Sequence, residues 1–94
     1  MEKIRVDSPE ALAQLIKNTR DEILTLARNI HRDAFDLHFS RIIGEEDEKL
    51  NALQEKIHQN RHKFMELIYE KYDFDFELSR AEWFNEVIMP ATKI

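Results

Sequence analysis

The chain has no cysteine, one glycine, two prolines and one tryptophan among its 94 residues. Without cysteine, disulfides and thiolate metal sites are excluded, and the redox compartment is left open. With Gly44 as the only glycine, no glycine-rich phosphate loop can form. No serine sits in a nucleophile-elbow context, so no catalytic function and no cofactor are expected. No apolar run approaches the roughly 18 residues of a membrane span, so no membrane partner is expected. Met1-Glu-Lys-Ile-Arg-Val-Asp7 lacks the apolar core of a secretory signal, which makes a cytoplasmic location the expectation.

Charge is abundant but uneven. The net charge is −5, and 35% of the residues are charged. Residues 1–44 carry seven basic and seven acidic groups; residues 45–94 carry seven basic and twelve acidic. An acidic half argues against duplex DNA, whose phosphates require Lys and Arg. A protein partner with a basic surface suits it better.

The few helix breakers organise the rest. Between Pro9 and Pro90 only Gly44 interrupts the chain, and glycine favours the left-handed conformation that ends helices. Ser8-Pro9-Glu10 has the cap, the proline and the acid of a helix start. Ile16, Thr19, Ile23, Leu26 and Ile30 form a coiled-coil-like stripe through the following residues. Thr19-Arg-Asp-Glu22 matches a capping box, yet the stripe keeps its phase across it, which favours one unbroken or kinked helix. Beyond the turn, Leu50, Leu53, Ile57, Phe64, Leu67 and Ile68 mark a second helix. Asn60 and Arg61 compete there for its seam.

Tyr72-Asp-Phe-Asp-Phe-Glu-Leu78 alternates apolar and acidic residues with the period of a strand, for which Lys3–Val6 is the nearest partner within the chain. Ser79-Arg-Ala-Glu82 is a further capping box, opening a short helix that Pro90 should end. The predicted fold is therefore all-α: a long antiparallel hairpin turning at Gly44 plus a short C-terminal helix. Its parts are a lead over 1–8, helix one over 9–43, helix two over 46–72, an extended segment over 73–78 and a short helix over 79–89, in one domain. The stripe on helix one exceeds what the rest can cover, so a homodimer forming a four-helix bundle is predicted.

Antiparallel pairing places opposite each other residues whose numbers sum to about 89. It gathers Arg28, His31, Arg32, His58, Arg61 and His62 into a mid-hairpin belt. Two chemistries are conceivable there. Glu55 and His58 share the Glu-x-x-His spacing of di-iron bundles, with His62 and His31 as further metal candidates. Arg28, Arg32, Arg61 and Lys63 would instead hold a phosphate. The aromatics between Phe64 and Phe84 are expected to pack against the N-terminal half of helix one, with Phe74, Phe76, Trp83 and Phe84 closing a small core, or else to form an exposed acidic-aromatic surface. The leading functional expectation is a non-enzymatic interaction module (adaptor, inhibitor or antitoxin-like regulator) that presents Asp73, Phe74, Asp75, Phe76, Glu77, Trp83 and Phe84 to a basic partner. A metal-binding bundle and an assembly subunit are the alternatives. The chain lacks the paired metal helices of encapsulated ferritins, the basic catalytic residues of chorismate mutases and the Trp-x-Gly turn of secreted WXG proteins, so no family resemblance follows.

Overall fold

In the computed structural model, which describes residues 2–93, four helical segments and one two-residue strand pair are arranged along the chain. Met1 of the lead and Ile94 of the tail lie outside the described residues. Strand β1 (Ile4–Arg5) is followed by α1 (Pro9–Thr19), α2 (Glu22–Ile42), α3 (Asp47–Lys71) and strand β2 (Tyr72–Asp73). The last segment, α4 over residues 80–92, joins an α-helical start, a π-helical stretch at Trp83–Ile88 and a final α-helical turn. No helix among the described residues is long and apolar enough to cross a membrane.

The start signals act as their chemistry dictates. Ser8 Oγ accepts from the Ala11 N–H at 3.1 Å, and Pro9 opens α1. Ser79 and Glu82 complete a reciprocal capping box, with bonds of 3.0 and 3.2 Å. Gly44 takes a φ of 75° at the hairpin turn. The expected register holds: Asp33 on α2 faces Lys56 on α3, and Lys63 reaches Glu22 at 3.1 Å.

Helix one is not continuous. Arg20 adopts φ 55°, in the left-handed region, and its N–H closes α1 on the Ile16 carbonyl. Asp21, rather than Thr19, then caps α2 by accepting the Ile23 N–H at 3.0 Å. An arginine in this conformation costs about 1–2 kcal/mol, which local pattern alone would not propose. The break lets α1 fold back against α4 and the first half of α2. Thr19, the polar member of the stripe, consequently lies exposed.

The C-terminal segment also departs from the predicted end at Met89. Met89 N–H bonds the Phe84 carbonyl five residues back, and the helix continues through Pro90 to Thr92 with Ala91 buried. Proline lacks the N–H an α-helix needs and crowds the carbonyl four residues earlier; the wider turn before it absorbs both defects. The period-two segment does find β1, but only Tyr72 and Asp73 pair with it, in parallel, with Val6 N–H bonding Asp73 O at 2.9 Å.

The core is concentrated at one end. Leu12 and Ile16 of α1, Leu24, Ala27 and Ile30 of α2, Phe64 and Ile68 of α3, and Val87 and Ile88 of α4 are buried together. At the other end α2 and α3 run on as a two-helix arm around Leu37 and Ile57. The molecule measures 45 × 23 × 23 Å. Asn60 and Arg61 are both half-buried, so neither wins the seam outright.

Asp21 joins the corner to the rest: its second oxygen accepts from Lys71 Nζ at 2.6 Å. Burial pushes its carboxyl up, but the bonds from Lys71 and the Ile23 N–H outweigh this and hold it below the usual carboxylate range. The same bond holds Lys71 above the usual ammonium range. Asp21→Ala is expected to cost about 1–2 kcal/mol in urea unfolding, as for other lost caps. Asp21→Asn keeps a cap but no charge. Its deficit against wild type should be constant above about pH 5 and vanish as the pH falls through the lowered Asp21 value, because only there does the folded carboxylate lose its advantage. Arg20→Gly should stabilise by about 1 kcal/mol.

Candidate interaction surface

Helical geometry places residues four and seven apart on one face, and α2 carries two apolar sets of this kind. One set, including Ile23, Ile30 and Leu37, enters the core. The other is Phe35, Phe39, Ile42 and Ile43, which are 67, 54, 70 and 54% exposed. They run along the distal part of α2, from Phe35, which shares a groove with Thr92 of α4, to the turn. These four side chains form one exposed apolar stripe on an otherwise charged surface.

Charge brackets the face. Towards the N-terminus of α2, Arg28, His31, Arg32 and Phe35 line a shallow groove of about 390 Å³ closed at one side by Thr92. Arg28 has no carboxylate within ion-pair distance among the described residues, and Arg32 reaches only its neighbour Asp33, at 3.6 Å. At the turn, Glu46, Asp47 and Glu48 are exposed, while Glu45 pairs with Lys49 at 3.2 Å. Three acids at the start of α3 suit the positive end of its dipole.

Of the residues expected to contact a partner, the aromatic ones pack towards the core and the acidic ones stay exposed. Trp83 is 8% exposed and packs edge-on against Phe64 and Phe74. Phe74 and Phe76 are half-buried and stacked at 4.8 Å, with Tyr69 outside them on Phe74. Phe84 lies across His31 at 5.8 Å rather than with the other aromatics. Asp73, Asp75 and Glu77 do point outwards, as the alternation demands, but Arg5 holds Asp73 at 3.6 Å and Asp75 at 3.1 Å. Only Glu77 of that trio lacks an ion-pair partner among the described residues.

The histidine belt does not assemble. His31 turns towards α4, where its Nδ1 lies 2.8 Å from Thr92 Oγ1. Since the Thr92 hydroxyl donates to the Met89 carbonyl, Nδ1 must be the donor in the pair. His62 pairs with Glu66 at 3.2 Å, and Glu55 accepts from Gln59. His58 and Glu55 share one groove, apart from His31. No group of three or more metal-ligating side chains forms among the described residues. The four expected phosphate contacts are also dispersed: Lys63 bridges to Glu22, and Arg61 faces the groove of His58 rather than Arg28 and Arg32.

Phe35, Phe39, Ile42 and Ile43 were legible as i, i+4, i+7, i+8, but the stripe that continues through Ala34 and Leu37 drew the pattern to the adjacent face. Comparison of the chain with protein-family models, with curated proteins and with solved structures finds no match. The contact that shapes the near end of the surface can be tested directly. Thr92→Val removes the acceptor of His31 and should cost about 1 kcal/mol in urea unfolding, the usual worth of one such bond.

Proposed function

We propose that this chain is a non-enzymatic protein-protein interaction module, of the adaptor, inhibitor or antitoxin-like kind, whose working unit is a homodimer joined through the distal arm. The observation that carries the reading is the exposed apolar face of Phe35, Phe39, Ile42 and Ile43. Two helices cannot enclose a core on both sides, and two such arms laid together make the four-helix bundle that can.

A second copy is the occupant that suits the charges. Arg32 and Arg28 lie about 8 and 14 Å on one side of the midpoint between Phe35 and Phe39 at 1.5 Å per residue, and Glu46, Asp47 and Glu48 lie past the other end of α2, across the turn. A two-fold axis through that midpoint brings the basic end of one copy to the acidic end of the other. Surfaces of isologous dimers must be self-complementary in this way. The acidic outer side of the second half then remains open to a basic protein surface, with Glu70, Glu77 and Glu86 exposed and without an ion pair among the described residues; Asp73 and Asp75 are already engaged by Arg5.

Sedimentation equilibrium should give twice the 11.3 kDa chain mass for the wild type. Phe39→Glu places a charge at the centre of the face and should raise the dimer dissociation constant by at least about tenfold, or 1.4 kcal/mol, without loss of helical circular dichroism. A wild type that stays monomeric at the highest soluble concentration would sink the reading.

A further inference from the structure

On the flank of the α2–α3 seam, away from the apolar face, lies a polar groove of about 780 Å³. Its floor is one face of α3 from Asn51 to Arg61, about 15 Å at 1.5 Å per residue. Arg41 lines it from α2, Arg61 from α3 and Arg80 from the start of α4. None of these three arginines has a carboxylate within 4.0 Å or a side-chain hydrogen bond among the described residues, although most other cations of the fold are paired.

Arg61 is half-buried. Burial, and then the charge of Arg80, lower its guanidinium from the ordinary value. Guanidinium stays charged under all ordinary conditions, so the repulsion is tolerated rather than titrated away. Arg80 is exposed, but two like charges lining one groove still repel unless an anion sits between them. The groove's one carboxylate, Glu55, accepts a hydrogen bond from Gln59 at 3.1 Å and reaches no arginine.

We propose that this groove binds a phosphate-class anion on Arg61 and Arg80, with Arg41 as a further contact. A single carboxylate supplies one charge for two forks. A phosphoryl group carries about −1.5 to −2 and three acceptor oxygens, which matches two guanidinium groups. The length of the groove, with Arg41 on its α2 wall, has room for more than one phosphoryl unit. Asn51 and Gln54 offer amide donors along it, and His58 completes the polar wall. Glu55 opposes the ligand and sets an upper limit on affinity. The groove does not need a second copy to form, because it and the apolar face use different sides of α2.

The test is thermal unfolding at constant ionic strength in chloride, inorganic phosphate or pyrophosphate, with calorimetric titration of pyrophosphate. In chloride, Arg61→Gln and Arg80→Gln should each melt above the wild type, because the repulsion is gone. Phosphate and pyrophosphate should raise the melting temperature of the wild type and of Lys3→Gln, a change at an exposed cation outside both surfaces, but not of these two variants. The pyrophosphate dissociation constant should rise at least about tenfold in both, the worth of one charged hydrogen bond. Glu55→Gln, which perturbs no arginine, should tighten it several-fold. A larger shift with pyrophosphate than with phosphate identifies a multi-phosphoryl ligand; equal shifts identify a single phosphoryl group. No gain over chloride in the wild type, or equal affinity in all variants, would overturn the proposal.

Discussion

Asp21 is the residue on which the geometry turns. One of its oxygens caps α2 and the other takes the ammonium of Lys71 at the end of α3. A single carboxylate thus fixes where the first helix must restart and where the third must stop. Tyr72 follows Lys71 directly, is buried, and begins the strand that pairs with Ile4 and Arg5. The lead, the corner and the end of the hairpin are tied at one point. The left-handed Arg20 is the strain that this arrangement tolerates, and a cap together with a partly buried ion pair is of the size needed to offset it.

Breaking the first helix has a consequence for coverage. Folded back, α1 joins α4 over the first half of α2, so that half lies in a closed core while the second half has α3 as its only neighbour. Asp33 stands where the two regimes meet. It is 2% exposed, its Oδ2 makes no hydrogen bond, and its nearest cations are Arg32 at 3.6 Å and Lys56 at 3.8 Å. An acid so placed contributes little stability, but it penalises any shift of α3 that would take Lys56 away from it. A thin arm with few apolar layers needs such a register device more than the thick end does.

The local signals were readable wherever chemistry is local. Ser8-Pro9, Gly44, and Ser79 with Glu82 each act through groups within a few residues, whereas the alternation from Tyr72 to Leu78 is completed by β1, about seventy positions away, and only at Tyr72 and Asp73. The break at Arg20 was not readable, because the residue that caps α2 is rewarded by Lys71, fifty positions away. The capping box at Thr19 pointed two residues too early for the same reason. The continuation through Pro90 depends on a π turn that no residue type announces. Phe74, Phe76, Trp83 and Phe84 fall close together in the sequence, a grouping that suits either a small core or an exposed surface. Whether Phe74 and Trp83 face inwards depends on Phe64 in another helix, and whether Asp73 and Asp75 are free depends on Arg5. Sites that draw on three elements are the hardest of all: Arg41, Arg61 and Arg80 have no relation in sequence, and their meeting follows from the path of α4.

The two uncovered surfaces of the arm are compatible because of helical phase. At 100° per residue, Arg41 points about 120° away from Phe35 and 160° away from Phe39, so a copy seated on the phenyl groups leaves the arginine side open to solvent. They are nevertheless carried by the same two helices. An anion between Arg61 and Arg80 would draw α4 towards α3, and α4 ends on Thr92, which holds His31 at the edge of the apolar face. A ligand in the groove and a partner on the face therefore act on opposite ends of one short segment. The segment common to both surfaces is α4, while the ion pairs between α2 and α3, Asp33 with Lys56 and Glu22 with Lys63, lie outside the groove and outside the apolar face.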